Sequence, residues 1–236
     1  MRIWDLNPGY LNRESLLGEH RELHAIVSIL VNRKRGYARH PETLRWIGHG
    51  WALRQRHRLL AAEMALRGFT DHSPVLTRAN KGQWPEIYID EPFRQFQLLK
   101  LKYKDKEQGR IPLPKNAQQL WSQHKYSVLA RSESLYRKLG REVSGMKPRH
   151  DFSELAAVLT EVLRKAPTAG GIRNALLHMW GYVSDLSSAD KNDIESWPLI
   201  RLLNEIQRGV HVNEESYLTG STALSELGVW IPTNAR

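Results

Sequence analysis

From residue 13 to residue 32 the apolar positions recur at helical spacing. Leu16, Leu23, Ile26, Val27, Leu30 and Val31 fall on one stripe, which predicts an amphipathic helix with that stripe toward the core. Asn12 is placed to cap it, and Gly36 lies just past its end. Pro41, after His40, suits the first turn of another helical stretch, interrupted near Gly48-His49-Gly50. A helix over 52–67 follows, closed by Gly68. Residues 71–91 carry Pro74, Gly82, Pro85 and Asp90 and read as irregular, and a helix over 93–106 ends before Gly109. Pro112 and Pro114 mark a linker. Further helices are predicted at 117–139, 152–165, 172–184 and 199–207, separated by Gly140, Pro148, Pro167 with Gly170-Gly171, and Pro198. No run shows the two-residue alternation of a half-buried strand. The expected class is all-α, built of two helical modules, 1–110 and 117–236, that meet near residues 105–117.

Composition narrows the class of partner. Of the 236 residues, 41% are hydrophobic, enough to form a core. The chain has no cysteine, which excludes thiol catalysis, disulfides and Cys-ligated zinc, and suits a reducing, cytoplasmic setting. The opening Met1-Arg2-Ile3-Trp4-Asp5 is not that of a signal peptide, and no apolar run is long enough to span a membrane, so no membrane partner is expected. The net charge of +10 is unevenly spread: residues 1–110 hold 20 Lys and Arg against 12 Asp and Glu, residues 111–236 only 15 against 13. A basic first half beside a near-neutral second half points to a polyanion as the partner of the first.

Candidate chemistry sits on the first helix. Glu22 lies off the centre of the apolar stripe, and its neighbours at helical spacing are Ser15, Gly18, Ala25 and Ile29. Gly18 and Ala25 leave room for a ligand to approach the carboxylate. Arg21 and His24 adjoin that strip and are candidate phosphate contacts, as are the clusters Arg33-Lys34-Arg35 and Arg54/Arg56/Arg58. The bland alternatives are a surface glutamate and solvated basic faces. Trp4, Trp46, Trp51 and Trp84 are candidates for stacking on bases, although tryptophans more often serve a core. His49 and His57 raise a metal reading, but no glutamate stands at metal-site spacing, so no metal and no cofactor are expected.

Several stretches carry a resemblance. Met1-Arg2-Ile3-Trp4-Asp5-Leu6-Asn7-Pro8-Gly9-Tyr10-Leu11, then Leu16-Leu17-Gly18-Glu19-His20-Arg21-Glu22-Leu23, resemble the opening of the pyrimidine-dimer DNA glycosylase/AP-lyase family. Gly36-Tyr37-Ala38-Arg39-His40-Pro41 is similar to the segment after the first helix in its bacterial branch. The run from Arg54 to Glu63, with Arg67-Gly68-Phe69, resembles its later helix and Arg-Gly-aromatic end. The resemblance implies a helical fold, damaged double-stranded DNA as partner, and an N-terminal α-amine that attacks C1′ of the damaged nucleotide. An α-amine has a pKa of about 7.7–8.0, so part of it is neutral at pH 7. The family's catalytic glutamate follows an arginine, and that pair is Arg21-Glu22 here. Aligning the pairs puts the nucleophile on Met1, which the bulky Arg2 is expected to protect from removal. The resemblance therefore gives Met1 and Glu22 as catalytic residues. Arg2, His20, Arg21, His24, Arg33, Lys34 and Arg35 are the candidate DNA contacts. A histidine and an arginine that contact DNA in the phage member are replaced by Ser15 and Ala25, which leaves open whether the target is a pyrimidine dimer or an abasic site.

The second module resembles the YbgA-type domain of unknown function. The carrying residues are His124-Lys125-Tyr126, Leu129-Ala130-Arg131-Ser132, Tyr136, Leu139-Gly140-Arg141, Asn174 to His178, Gly181-Tyr182 and Leu186-Ser187. Polar residues within its helices (His124, Lys125, Arg131, Asn174 and His178) either converge on a ligand or serve as caps and satisfied core groups. Thr168-Ala169-Gly170-Gly171 reads as a plain loop or as a phosphate cradle. Two alternatives to the enzyme reading stay open: a non-catalytic nucleic-acid-binding protein on the same scaffold, and chemistry that lies in the second module.

Overall fold

The computed structural model describes residues 1–77, 82–147, 150–184, 194–213 and 215–232. Among them are eleven α-helices and no strand, so the chain is all-α. Two of the features read from the sequence, Pro148 and Leu186-Ser187, lie outside the described residues. The chain divides into two compact units, Met1–Gly109 and Arg110–Arg236.

In the first unit a 3-10 turn, Pro8–Tyr10, precedes α1 (Arg13–Asn32), α2 (Pro41–Arg45), α3 (Gly50–Leu66) and α4 (Pro92–Lys102). The Asn12 side chain accepts the Ser15 amide at 2.9 Å and starts α1. The helix closes earlier than Gly36: Arg33 takes the left-handed conformation at φ 51°, and its amide and that of Lys34 both bond to Ile29. A non-glycine residue there costs about 1–2 kcal/mol. α1 packs on α3 through a face of Ser15, Leu16, Glu19, Leu23, Ile26 and Ile29, while Val31 is exposed. The buried stripe is thus rotated toward Glu19. A carboxylate sits inside because Arg56 of α3 meets it with two hydrogen bonds, at 2.7 and 2.9 Å. Arg56 is 3% exposed and Glu19 is fully buried, so the place of Arg56 is in the core and not on a DNA-facing surface.

In the second unit α5 (Ala117–Leu129) packs against α6 (Glu133–Ser144), α7 (Ser153–Leu163) and α8 (Ala169–Trp180). Next come α9 (Leu199–Val212), which packs on α8, and the short helices α10 (Ser216–Thr219) and α11 (Ala223–Glu226). The sequence reads 117–139 as one helix, but Ser132 breaks it by capping α6 through the Leu135 amide. Arg131 in that break bonds Glu226 twice at 3.0 Å, together with the carbonyls of Ser127, Leu163 and Lys165. Thr168 caps α8 by accepting the Gly171 amide, so 168–171 forms a first helical turn. A Cβ on Gly171 would lie 2.0 Å from the Ala130 carbonyl oxygen, so that turn closes against the end of α5 only with glycine.

Candidate functional site

Residues 1–12 form no regular element beyond the Pro8–Tyr10 turn, yet they are held at nearly every step. Ile3, Trp4, Leu6, Tyr10 and Leu11 are buried. Asp5 pairs with Arg45 at 2.5 Å and exchanges hydrogen bonds with the Gln95 side chain, at 2.8 and 2.9 Å. The Leu6 carbonyl accepts from Arg56 at 2.7 Å. Arg67, itself paired with Glu63, donates to the carbonyls of Gly9 and Leu11 at 3.1 and 2.7 Å. The Asn12 amide donates to the Tyr103 hydroxyl at 3.0 Å. Long cationic side chains from α3 thus supply the partners that a strand would find in a sheet.

This scaffold places the terminus against α1. The Arg2 amide donates directly to Glu22 Oε2. The three bonds from the Met1 nitrogen to that amide nitrogen sum to only about 4.3 Å, so the α-amine is one residue away from the backbone group that the Glu22 carboxylate holds. Glu22 and Met1 are both half-buried. One turn earlier on α1, a Cβ added to Gly18 would meet nothing within 4 Å, and Ala25 is exposed, so the approach to the carboxylate is open. Ser15 is buried, which removes it as a surface contact.

The other sequence candidates fall in different settings. Arg21 is exposed next to Glu22, and Arg33, Lys34 and Arg35 are exposed at the end of α1. Arg2 lies 4.4 Å over the Trp4 ring and pairs with Asp90 at 2.5 Å, which fixes its guanidinium close to the terminus. His20 and His24 lie about 160° around α1 from Glu22, where they meet His57 of α3 and Asp71. Of the tryptophans, Trp4 and Trp46 are buried, while Trp51 and Trp84 are half-buried, with Trp84 packed edge-on against Trp46 and Trp51. Arg54 is taken up by Thr77. Arg56 and Arg67, which organise the terminus, carry no local signal separating them from surface arginines; only their buried partners do.

Residues 1–77 match the pyrimidine dimer DNA glycosylase family. Residues 125–226 match a second family, a protein of unknown function (DUF1722). No curated protein and no solved structure matches the chain. The glycosylase match spans α1, α2 and α3, the helices that anchor the terminus, and contains both Met1 and Glu22. No helix among the described residues is long and apolar enough to cross a membrane.

Within the DUF1722 match, Arg131 serves the fold, as described above. The Lys125 ammonium lies 4.8 Å from the ring centroids of both Tyr126 and Tyr217, and His178 is exposed. His124, just before the match, is buried with Nδ1 2.9 Å from the Leu120 carbonyl. Burial pulls its pKa down to about 4, against the upward pull of that carbonyl. The unfolded chain, with an ordinary histidine near 6.5, therefore binds the proton first as the pH falls. The stability tied to a neutral His124 is complete above pH 6.5 and is lost as the pH falls toward 4, by up to about 3 kcal/mol. Amide exchange of α5 measures it. The opening free energy of the wild type is expected to fall over that range by about this much more than that of His124→Gln.

Proposed function

We propose that the first unit is a DNA glycosylase/AP lyase whose nucleophile is the α-amine of Met1 and whose acid/base is Glu22. The observation that supports this reading is the bond from the Arg2 amide to the Glu22 carboxylate, which ties the residue next to Met1 to an open stretch of α1. The family matched by residues 1–77 gives DNA as the substrate class.

The chemistry follows from the pair. A neutral α-amine attacks C1′ of the damaged nucleotide; the glycosidic bond breaks with its electrons on the base, which leaves as it gains a proton. Loss of the remaining amine proton and opening of the sugar ring give an imine between Met1 and C1′. The Glu22 carboxylate stabilises the cationic sugar and then takes a proton from C2′. The electrons of that C–H bond form the C2′–C3′ double bond and expel the 3′ phosphate, which breaks the strand. Arg21, with Arg2 beside the terminus, meets the flanking phosphates. Arg33, Lys34 and Arg35, about 16 Å along the helix from Glu22, extend the same electrostatic track. His20 and His24 take no part in this reading because they face another part of the unit.

The test is borohydride trapping. Protein whose terminus is Met1 is incubated with duplex DNA carrying an abasic site or a pyrimidine dimer. Reduction of the imine is expected to give a covalent complex whose DNA adduct maps to the Met1 peptide. Extension of the terminus by a single residue is expected to abolish the Met1 adduct. Absence of any trapped complex from the unextended protein would sink the assignment of Met1.

A further inference from the structure

A second constellation lies on the opposite side of α1. His20 and His24, one turn apart, present two imidazoles from the same strip of the helix. His57 comes from α3. Asp71 follows the chain reversal at Gly68, whose φ is +79°, and its Oδ1 accepts the Ser73 amide at 3.0 Å, which fixes the carboxylate's direction. The four donor atoms all lie within 4.8 Å of one another. His20 Nε2 is 3.3 Å from His24 Nε2 and 3.2 Å from Asp71 Oδ1, and His57 Nε2 is 3.2 Å from Asp71 Oδ2.

Hydrogen bonding leaves this group incompletely satisfied. Each imidazole Nε2 carries either one proton or one lone pair. If His20 Nε2 donates to Asp71, it has no lone pair for His24; if it accepts from His24, it gives nothing to Asp71. His57 Nε2 is buried in a side chain only 9% exposed and has no hydrogen-bond partner. A cation at the centre would take a lone pair from every member at once.

The spacing suits such a cation. Zinc bonds imidazole nitrogen at about 2.0–2.1 Å and carboxylate oxygen at about 2.0–2.2 Å, so neighbouring donors of a tetrahedral site stand about 3.3–3.5 Å apart. The His20–His24 and His20–Asp71 Oδ1 separations of 3.3 and 3.2 Å lie close to that edge length, and the four donor atoms all stay within 4.8 Å of one another. Three imidazoles and one carboxylate form a borderline nitrogen and oxygen set suited to zinc and its neighbours, not to magnesium or calcium.

We propose that His20, His24, His57 and Asp71 form a tetrahedral site for one divalent transition-metal ion, with zinc the ion that the donor set suits best. Four protein ligands make it a closed, structural site that clamps α1 to α3 and to the turn after Gly68. The sequence reading expected no metal because His49 and His57 lack a glutamate at motif spacing. The missing ligands instead come from another helix and from beyond the end of α3. The ion stands about 160° around α1 from Glu22, so this inference is independent of the proposed chemistry.

The full chain, produced without a histidine tag and freed of metal by a chelator, is titrated with Zn²⁺ by calorimetry and with Co²⁺ by visible absorption. The expected results are one saturable Zn²⁺ per chain, the intense visible bands of tetrahedral cobalt, and a melting temperature that rises with added zinc. His24→Ala and Asp71→Ala are expected to weaken zinc binding by at least about 100-fold, since loss of an outer-shell partner alone costs 10–100-fold. Circular dichroism of the metal-free variants checks that they are folded. His72→Ala, which removes an exposed neighbouring histidine, is expected to bind as the wild type does. The proposal is overturned by any of three results: no saturable site, the weak bands of octahedral cobalt, or equal zinc affinity in wild type, His24→Ala and Asp71→Ala.

Discussion

Glu22→Gln is expected to lower single-turnover strand cleavage by about 10²–10⁴-fold, the usual contribution of a positioned acid/base, while DNA binding stays within a few-fold of wild type. The amide is the same size as the carboxylate, and its oxygen can still accept from the Arg2 amide. The terminus therefore keeps its place. What the variant loses is the negative charge facing the cationic sugar and the base that takes the C2′ proton. The loss corresponds to about 3–5 kcal/mol of transition-state stabilisation. Cleavage of abasic and dimer-containing duplexes, together with fluorescence anisotropy on the same duplexes, separates the two effects. Cleavage at the wild-type rate would remove Glu22 from the mechanism. Parallel loss of binding and cleavage would make it a structural residue.

Arg56→Ala is expected to destabilise the first unit by about 3–5 kcal/mol, the cost of breaking a buried ion pair. The substitution leaves the fully buried Glu19 carboxylate without its two hydrogen bonds and the Leu6 carbonyl without its donor. Because Leu6 is part of the segment that carries Met1 to Glu22, the terminus is expected to loosen as well. Arg56→Lys recovers only part of the loss, since a lysine cannot meet both carboxylate oxygens in a planar fork. Replacing both partners by methionine is expected to recover most of the stability, because a well-packed apolar pair often equals a buried ion pair. Urea denaturation measures each step. A loss below about 1 kcal/mol for Arg56→Ala would show that the pair is solvated and that it does not set the buried face of α1.

The contrast between these two residues shows where the sequence was legible. Glu22 is a candidate because a resemblance links an Arg-Glu pair to the start of the chain, and that link is a matter of order and spacing. Arg56 was misread as a surface cation because its neighbours Arg54 and Arg58 are equally basic, and a helix period cannot say which of three arginines finds a buried carboxylate 37 residues away. The histidine cluster was invisible for a related reason. His20 and His24 share a strip of α1, but Asp71 reaches them only after α3 and the turn at Gly68 bring it back.

By itself, then, the sequence determined the all-α class and most helix positions through their caps and apolar periods. These depend on local chemistry: Asn12 caps α1 whatever surrounds it, and apolar residues at 3.6-residue spacing make a helix face. Tertiary structure alone decided which face of α1 was buried and which arginines became internal partners of the terminus. It also brought three histidines and an aspartate to one point. Each of those outcomes depends on contacts between distant segments, where the gain from burying a charge or a ligand set exists only once both partners are in place.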